Sequence, residues 1–306
     1  MLDVILRTII PILLLIGTGL LSRKLGILKS GDERVLSGYV YYFALPALFF
    51  VNMAETDFVA ETLQFMLAAL APVVIAVAFY LFLYKMLRFS TDLLYLLILS
   101  TVFGSLAFFG IPFITFAYPV EGESIATLAA VSISVVSVTL SILTLELYQL
   151  QGSRISTGLK LVAKRLSRNP LILSIFFGTV VSLSSLEIPL PMSQPLHMLG
   201  GTTSTVAIFM LGVFLYGRKY TNVTQAVKLS LLRIAFLPVI SLLVLTFFDL
   251  SRLERSTIIL MHAMPVAISM IVLSERYNFY KETIASLILI LSLGAGLYLN
   301  LWLIFL

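Results

Sequence analysis

Residues 92–117 read DLLYLLILSTVFGSLAFFGIPFITFA, an apolar run as long as a membrane-spanning helix that is interrupted by Gly104, Gly110 and Pro112. A helix of about 20 apolar residues is long enough to cross a bilayer. A proline inside such a helix donates no hydrogen bond, and its ring crowds the carbonyl four residues earlier. The run therefore predicts a membrane helix that is broken or sharply kinked in its middle.

Similar apolar runs continue along the whole chain. Of the 306 residues, 60% are hydrophobic and 11% are charged, with a mean hydropathy of +1.08, whereas an ordinary soluble domain carries roughly 25% charged residues. This composition excludes a single soluble domain. We predict an all-α polytopic membrane protein of about ten spans. The spans lie near residues 2–22, 35–53, 63–86, 92–117, 124–148, 169–186, 196–216, 227–248, 255–275 and 282–305.

The residues that most enzymes need for chemistry are scarce. The chain has no cysteine and two histidines, so disulfides, thiolate metal sites and cysteine nucleophiles are excluded. It contains no His-Glu-x-x-His pair and no Gly-x-Ser-x-Gly elbow, the patterns of zinc proteases and serine hydrolases. We therefore expect no enzyme, no metal site and no organic cofactor.

The basic residues predict the orientation of the chain, because short cytoplasmic loops are enriched in Lys and Arg. Alternate loops hold seventeen of the twenty basic residues, and this count assigns Arg233 to the loop before the eighth span. The other loops hold only Arg7, Arg252 and Arg255. We expect a multi-pass protein of the plasma or inner membrane, with both termini outside and the long loop 149–168 in the cytoplasm. Basic residues confined to short loops do not predict a nucleic-acid partner.

Prolines divide the chain into two similar halves. The matched positions are Pro11 and Pro170, Pro72 and Pro238, and Pro112 and Pro265. Proline is common in membrane helices, so chance is the alternative. Since five spans precede the central loop, two related halves would have opposite orientations, an arrangement typical of secondary transporters. We predict an N-terminal five-helix repeat over 1–150, a cytoplasmic linker over 151–168 and an inverted five-helix repeat over 169–306.

The fourth and ninth spans carry the third matched pair, Pro112 and Pro265. Two broken helices that cross at mid-membrane depth would leave free N–H groups and positive helix ends in a protein-lined cavity, which attracts a carboxylate or a similar anion. A simple packing kink is the alternative for each proline. Ser134 in the fifth span either lines the same cavity or bonds a carbonyl of its own helix. We predict that helices 4 and 9 are broken and cross at a binding site for a solute.

Several short motifs occur in a characteristic order along the chain. They are Arg23-Lys24-Leu25-Gly26-Ile27-Leu28, Phe43-Ala44-Leu45-Pro46-Ala47-Leu48, Gly110-Ile111-Pro112, Arg168-Asn169-Pro170, Leu232-Arg233 with Pro238, and Ala263-Met264-Pro265 with Ser274-Glu275-Arg276-Tyr277. By this ordered set the chain resembles the prokaryotic branch of the auxin efflux carrier family, which includes malonate and malate carriers, over essentially its whole length.

The resemblance implies two inverted five-helix repeats, related in fold to bile-acid/sodium symporters, with spans 4 and 9 crossing as broken helices. It also implies alternating access of a transport domain that contains the crossing against a scaffold formed largely by spans 1, 2, 6 and 7. The expected function is secondary transport of a small organic anion, either a carboxylate or an auxin-like molecule. A channel or a membrane sensor with the same fold is the alternative.

Three positions depart from the pattern of the family. Members of the family usually have an asparagine seven residues before the span-4 proline, where this chain has Ser105, and many have one four residues after the span-9 proline, where it has Ser269. A glutamine common thirteen residues before the span-5 glutamate, here Glu146, is replaced by Ile133. Hydroxyls in place of amides leave fewer fixed donors for a planar carboxylate, so the place of the site is better indicated than the solute. The predicted substrate-binding residues are Gly104, Ser105, Gly110, Pro112, Ser134, His262, Pro265 and Ser269.

Only His262 and Glu146 are candidates for carrying a coupling proton, since titratable groups are rare in membrane spans. Each has a structural alternative: His262 would donate to a carbonyl freed by a proline, and Glu146 would pair with a nearby base at the cytoplasmic interface. Sodium coupling and uncoupled, potential-driven exit of the anion are left open. The expected partners are a small organic anion and the lipid bilayer, and a homodimer is also left open.

Overall fold

The computed structural model describes residues 2–150, 163–164, 167–184, 186, 188–217 and 221–306. Six helices in these ranges are long and apolar enough to cross a membrane: Asp32–Ala54, Ala60–Leu87, Gly122–Gln149, Leu190–Leu215, Val223–Phe247 and Lys281–Phe305. Shorter apolar helices cover Thr91–Val102, Leu106–Ala117 and Pro170–Leu183. The chain is therefore an all-α polytopic membrane protein. The predicted linker over 151–168 lies mostly outside the described residues.

The helices follow one another with short connections. In chain order they are α1 (Leu2–Lys24), α2 (Asp32–Tyr39), α3 (Leu45–Ala54), α4 (Ala60–Leu87), α5 (Thr91–Val102), α6 (Ile111–Ala117), α7 (Gly122–Leu150), α8 (Pro170–Leu183), α9 (Leu190–Leu215), α10 (Val223–Leu231), α11 (Leu237–Val244), α12 (Arg252–Ala263), α13 (Ser269–Tyr277) and α14 (Lys281–Phe305). Three π-helical turns join or precede these helices, at Val40–Ala44, Leu106–Gly110 and Leu232–Phe236.

A proline stands two residues after the end of each π-helical turn, at Pro46, Pro112 and Pro238. Proline crowds the carbonyl four residues earlier and leaves it without its usual donor, and a wider turn relieves that contact. For Pro238 this carbonyl belongs to Ile234, and it accepts a hydrogen bond of 2.9 Å from the indole Nε1 of Trp302. The prolines therefore shape the backbone over the turn that precedes them.

The chain forms two compact units, and each draws on both halves of the sequence. The first comprises Met1–Leu63, Ala107–Val131 and Arg168–Arg218, and the second comprises Gln64–Leu106, Ser132–Ser167 and Lys219–Leu306. The first unit includes the first, second, sixth and seventh predicted spans, the ones that the resemblance assigns to a scaffold. The predicted repeats over 1–150 and 169–306 describe similarity between two parts of the sequence and not compact units in space. They stay a prediction.

Close helix contacts and polar bridges hold the first unit together. Helix α3 packs along α8, and α1 packs along α9. A Cβ added at Gly212 of α9 would lie 2.9 Å from the carbonyl carbon of Ile16 in α1, so these two backbones approach closely at a small residue, as is common between membrane helices. The Ser182 hydroxyl donates to the Thr56 carbonyl at 2.6 Å, which ties the end of α8 to the end of α3.

The second unit surrounds the C-terminal half of α12. Every residue from Ser256 to Ala263 is buried, which means that this helix contacts protein on all sides over its last two turns. The rings of Phe79 and Tyr80 lie 5.4 Å and 5.2 Å from the ring of Phe236. These aromatic contacts join α4 to the π-helical turn Leu232–Phe236, and they position that turn beside the site described next.

Candidate functional site

Two short non-helical segments of the second unit lie at the candidate site. Helix α5 ends at Val102 and a π-helical turn begins at Leu106, while α12 ends at Ala263 and α13 begins at Ser269. The first segment lies at residues 103–105 and not at Pro112, where the sequence predicted a break. Pro112 instead lies two residues after the π-helical turn Leu106–Gly110, inside the continuous helix Leu106–Ala117.

The two non-helical segments pair with each other. The Ser105 N–H donates to the Pro265 carbonyl at 2.7 Å, and the Ala267 N–H donates to the Phe103 carbonyl at 2.9 Å. Gly104 and Val266 face each other between these bonds as an isolated antiparallel bridge. The pairing satisfies backbone groups of these non-helical segments, and a buried backbone requires such partners.

A buried arginine lies beside this pairing. Arg233 is 1% exposed and belongs to the π-helical turn in the middle of the helix Val223–Phe247. Its Nε donates to the Met264 carbonyl at 2.7 Å, and its Nη1 donates to the Thr101 carbonyl. Thr101 lies in the last turn of α5, and Met264 directly follows α12. The guanidinium therefore binds the carboxyl-terminal ends of α5 and α12, where the helix dipole places partial negative charge.

The assignment of Arg233 to a cytoplasmic loop is wrong, because the side chain is buried within a helix. Counts of loop charge treat a basic residue near the end of an apolar run as solvated. The signal that was missed is a charge inside an apolar run, which by default indicates a functional site. The other sixteen basic residues of that set still predict the same orientation.

Gly104 leaves room for this arginine. A Cβ added at Gly104 would lie 3.0 Å from the Arg233 Cζ and would overlap its Nη2. Gly104 is half-buried and Ser105 is buried. The sequence singled out Gly104 as a helix breaker, and the structure adds that the guanidinium occupies the space a side chain would need.

His262 lies in the last turn of α12 and is buried. Its Nδ1 lies 3.0 Å from the Ser241 hydroxyl of α11. Its Nε2 is also buried and makes no hydrogen bond to the described residues, while the backbone of Ala69 in α4 and that of Ile258 lie near the imidazole. Arg233 is near enough for its charge to act on the imidazole. The histidine is therefore held at the end of α12 by neighbours from α11 and α4.

The other predicted residues lie at several places. Glu146 is buried and accepts a hydrogen bond of 2.6 Å from the Tyr277 hydroxyl at the end of α13. Ser134 is half-buried on α7, and Ser269 is half-buried at the start of α13. Gly110 and Pro112 are buried and belong to the first compact unit. The structure thus brings Gly104, Ser105 and Pro265 together, while the binding roles of all eight residues stay predictions.

Comparison of the sequence with known proteins assigns the chain to a family. The sequence profile of the family described as membrane transport protein matches residues 4–303. The chain is 23% identical to the uncharacterized transporter YfdV of Escherichia coli strain K12, with 99% of this chain and 98% of that protein aligned. It is 24% identical to the uncharacterized transporter MJ1031 of Methanocaldococcus jannaschii, over 96% of each chain. A Rhizobium meliloti protein provisionally named as a malonate transporter is 26% identical over 43% of this chain and 42% of its own length.

The profile and the first two relatives extend over nearly the entire chain. They agree with the ordered motifs that carry the resemblance to auxin efflux carriers. They also agree with the apolar helices of the structure. The chain therefore belongs to the membrane transport protein family, the auxin efflux carriers, and is a multi-pass transporter and not an enzyme.

Proposed function

We propose that this protein is a secondary transporter that carries a small organic anion across the plasma or inner membrane by alternating access. The observation that supports the proposal most directly is the pairing of residues 103–105 with residues 265–267 beside the buried guanidinium of Arg233. In this proposal, α5 with α6 and α12 with α13 are the fourth and ninth of about ten membrane helices, interrupted and crossing within an inverted repeat.

The electrostatics of the helix ends favour an anion. Each helix end carries roughly half an elementary charge, negative at the carboxyl terminus and positive at the amino terminus. The carboxyl-terminal ends of α5 and α12 together contribute about −1, which the guanidinium offsets with +1. The amino-terminal ends at Leu106 and Ser269 are left with an excess of positive potential. A carboxylate placed at these ends would accept hydrogen bonds from free N–H groups.

The hydroxyls of Ser105 and Ser269 would complete the proposed site at these two amino-terminal ends. Hydroxyls are single donors that rotate freely, whereas amides present two donors in fixed directions. The site therefore favours a small carboxylate held mainly by backbone N–H groups. The relative provisionally named as a malonate transporter makes malonate the first solute to test. Gly110, Pro112 and Ser134 remain predicted lining residues.

The proposal is tested by flux measurements on the purified protein in proteoliposomes. Thermal-shift screening against small carboxylates, indoles and bile acids, starting with malonate, identifies the solute to label. We expect saturable uptake that is accelerated by the same solute on the opposite side of the membrane, because a carrier returns faster when it is loaded. Protein-free liposomes are the control. Ohmic single-channel currents would contradict a carrier and favour the channel alternative.

We propose His262 as the group that couples proton binding to solute binding. An anion bound near Arg233 would change the electrostatic potential at the imidazole, so the binding of the anion and of a proton would be thermodynamically linked. The charged and polar groups near the imidazole are Arg233, the Ser241 hydroxyl and the backbone carbonyls of Ala69 and Ile258. Glu146, held by Tyr277, is the second candidate.

Substitution of His262 by Gln is expected to flatten the pH dependence of solute uptake, because the amide keeps a hydrogen-bonding group but does not titrate. Uptake rates between pH 5 and pH 8, about the range in which an ordinary histidine titrates, provide the measurement. Ser241→Ala is the matched control. It removes the hydroxyl that contacts Nδ1 but keeps the titratable imidazole, so uptake by this variant should still depend on pH. If His262→Gln leaves the pH profile unchanged and Glu146→Gln flattens it, Glu146 is the coupling residue instead.

A further inference from the structure

Arg233 is a charge inside a membrane helix, and its hydrogen-bond partners show what offsets it. An intramembrane charge is ordinarily paired with a side chain of opposite charge or bonded to backbone carbonyls. In the described part of the chain, the hydrogen bonds of Arg233 go to the carbonyls of Thr101 and Met264, and no carboxylate lies within ion-pair distance. The counter-charge is therefore the partial negative charge at the ends of two helices.

Carbonyls at such helix ends are also the ligands that coordinate a metal cation in transporters with interrupted helices. A sodium ion prefers oxygen ligands, and a pair of carboxyl-terminal helix ends offers both the oxygens and the negative potential. Here those oxygens already accept hydrogen bonds from a cation that is covalently part of the chain. A metal ion would have to compete with a guanidinium that is held in place.

Several contacts hold the guanidinium in this position. The absence of a side chain at Gly104 leaves the space that Nη2 fills. The π-helical turn that carries Arg233 is fixed at one side by Phe236, which packs against Phe79 and Tyr80. Its Ile234 carbonyl is bonded to the indole of Trp302. The position is therefore built from α4, the segment after α5 and α14, and does not depend on one flexible side chain alone.

We propose that Arg233 is a built-in cation that occupies the carbonyl site at the ends of α5 and α12, so that the protein binds its solute without a metal cation. Arg233 is a positioning residue in this scheme, because it acts on the solute through the two helix ends. The role of these helix ends in solute binding rests on the proposed function. The occupancy of the carbonyl site is independent of it and is measured without any solute.

The test uses the purified full-length protein and its thermal stability in sodium chloride and in N-methyl-D-glucamine chloride at equal ionic strength. For the unsubstituted protein we expect the same Tm in both salts. For Arg233→Ala we expect a Tm lower by about 5–10 °C, because two buried charge-assisted hydrogen bonds are lost. Added methylguanidinium at millimolar concentration should restore part of that loss by occupying the vacated space, and sodium should raise the Tm of this variant only.

Arg252→Ala is the matched control. Arg252 is an exposed arginine whose Nε and Nη2 also donate to a carbonyl at a helix end, that of Leu306, at 3.2 Å and 3.1 Å. Because its guanidinium is solvated, we expect a small change in Tm and no recovery with methylguanidinium or sodium. Recovery in Arg233→Ala alone separates occupancy of the buried site from a general effect of the added salts.

A saturable increase of the Tm of the unsubstituted protein with sodium would overturn the inference, and so would an Arg233→Ala protein that responds to neither cation. If Arg233→Ala does not purify, Arg233→Lys keeps the positive charge and should remain insensitive to sodium; a sodium-stabilised Arg233→Lys protein would also overturn the inference.

Saturable but strictly sodium-dependent flux would contradict the built-in cation and leave the transporter proposal standing. Sodium-insensitive stability with recovery in Arg233→Ala, but without solute flux, would support the built-in cation and contradict the proposed transport.

Discussion

Replacing Gly104 by Leu is expected to abolish solute uptake and to destabilise the protein by about 3–5 kcal/mol, the loss typical of separating a buried charge from its partners. A Cβ at this position overlaps the Arg233 Nη2 and lies 3.0 Å from Cζ. The guanidinium must then leave the carbonyls of Thr101 and Met264. The two helix ends would keep their negative potential without an offsetting charge, which disfavours an anion nearby.

The measurement combines thermal unfolding of the purified variant with solute uptake in proteoliposomes. Gly104→Ala should give an intermediate loss, because only the Cβ meets the guanidinium. Gly201→Leu is the control, since Gly201 is exposed and a Cβ there meets nothing within 4 Å. Normal stability and normal uptake in Gly104→Leu would show that neither folding nor transport requires Arg233 in its observed position.

Replacing Ser105 or Ser269 by Leu is expected to abolish solute binding while the protein still inserts and purifies as a monodisperse species. Each substitution removes a hydroxyl at an amino-terminal helix end and adds apolar volume there. A hydrogen bond to a charged group contributes about 1.5–3 kcal/mol, so loss of one hydroxyl lowers affinity by roughly 10-fold to 100-fold. The added side chain should remove what remains by filling the space.

Affinity for the solute identified by the thermal-shift screen is measured by titration of each purified variant. Ser184→Leu provides the control, because Ser184 is exposed and its hydroxyl donates to the Val180 carbonyl of its own helix. That variant should bind the solute normally. Retention of normal affinity in both Ser105→Leu and Ser269→Leu would show that the solute binds elsewhere.

The membrane class and the helical content follow from local sequence. Runs such as 63–86 and 282–305 are apolar over the length of a span, and the structure has helices at Ala60–Leu87 and Lys281–Phe305. In lipid the backbone must satisfy its own hydrogen bonds, which leaves the helix as the conformation for an apolar run of this length. For these two spans the predicted boundaries lie within three residues of the helix ends without tertiary information.

The interruptions were predicted less accurately than the helices. Pro265 lies within the non-helical segment after α12, whereas the other segment lies at residues 103–105 and Pro112 belongs to the helix that follows it. Proline disturbs the turn that precedes it, and here the π-helical turn Leu106–Gly110 absorbs that disturbance. Gly104 was the better local marker, because its importance comes from its lack of a side chain.

Composition and the order of short motifs were sufficient to establish a helical membrane protein of the transporter class and to direct attention to Gly104, Ser105 and Pro265. Packing alone decided that Ser105 pairs with Pro265 and that Arg233 binds two helix ends. The carbonyls that Arg233 contacts are 132 and 31 residues away in the chain. Local sequence determines whether a segment is helical, since the relevant hydrogen bonds lie within a few residues. Which distant carbonyl meets a guanidinium depends on how the helices pack, and no local pattern records it.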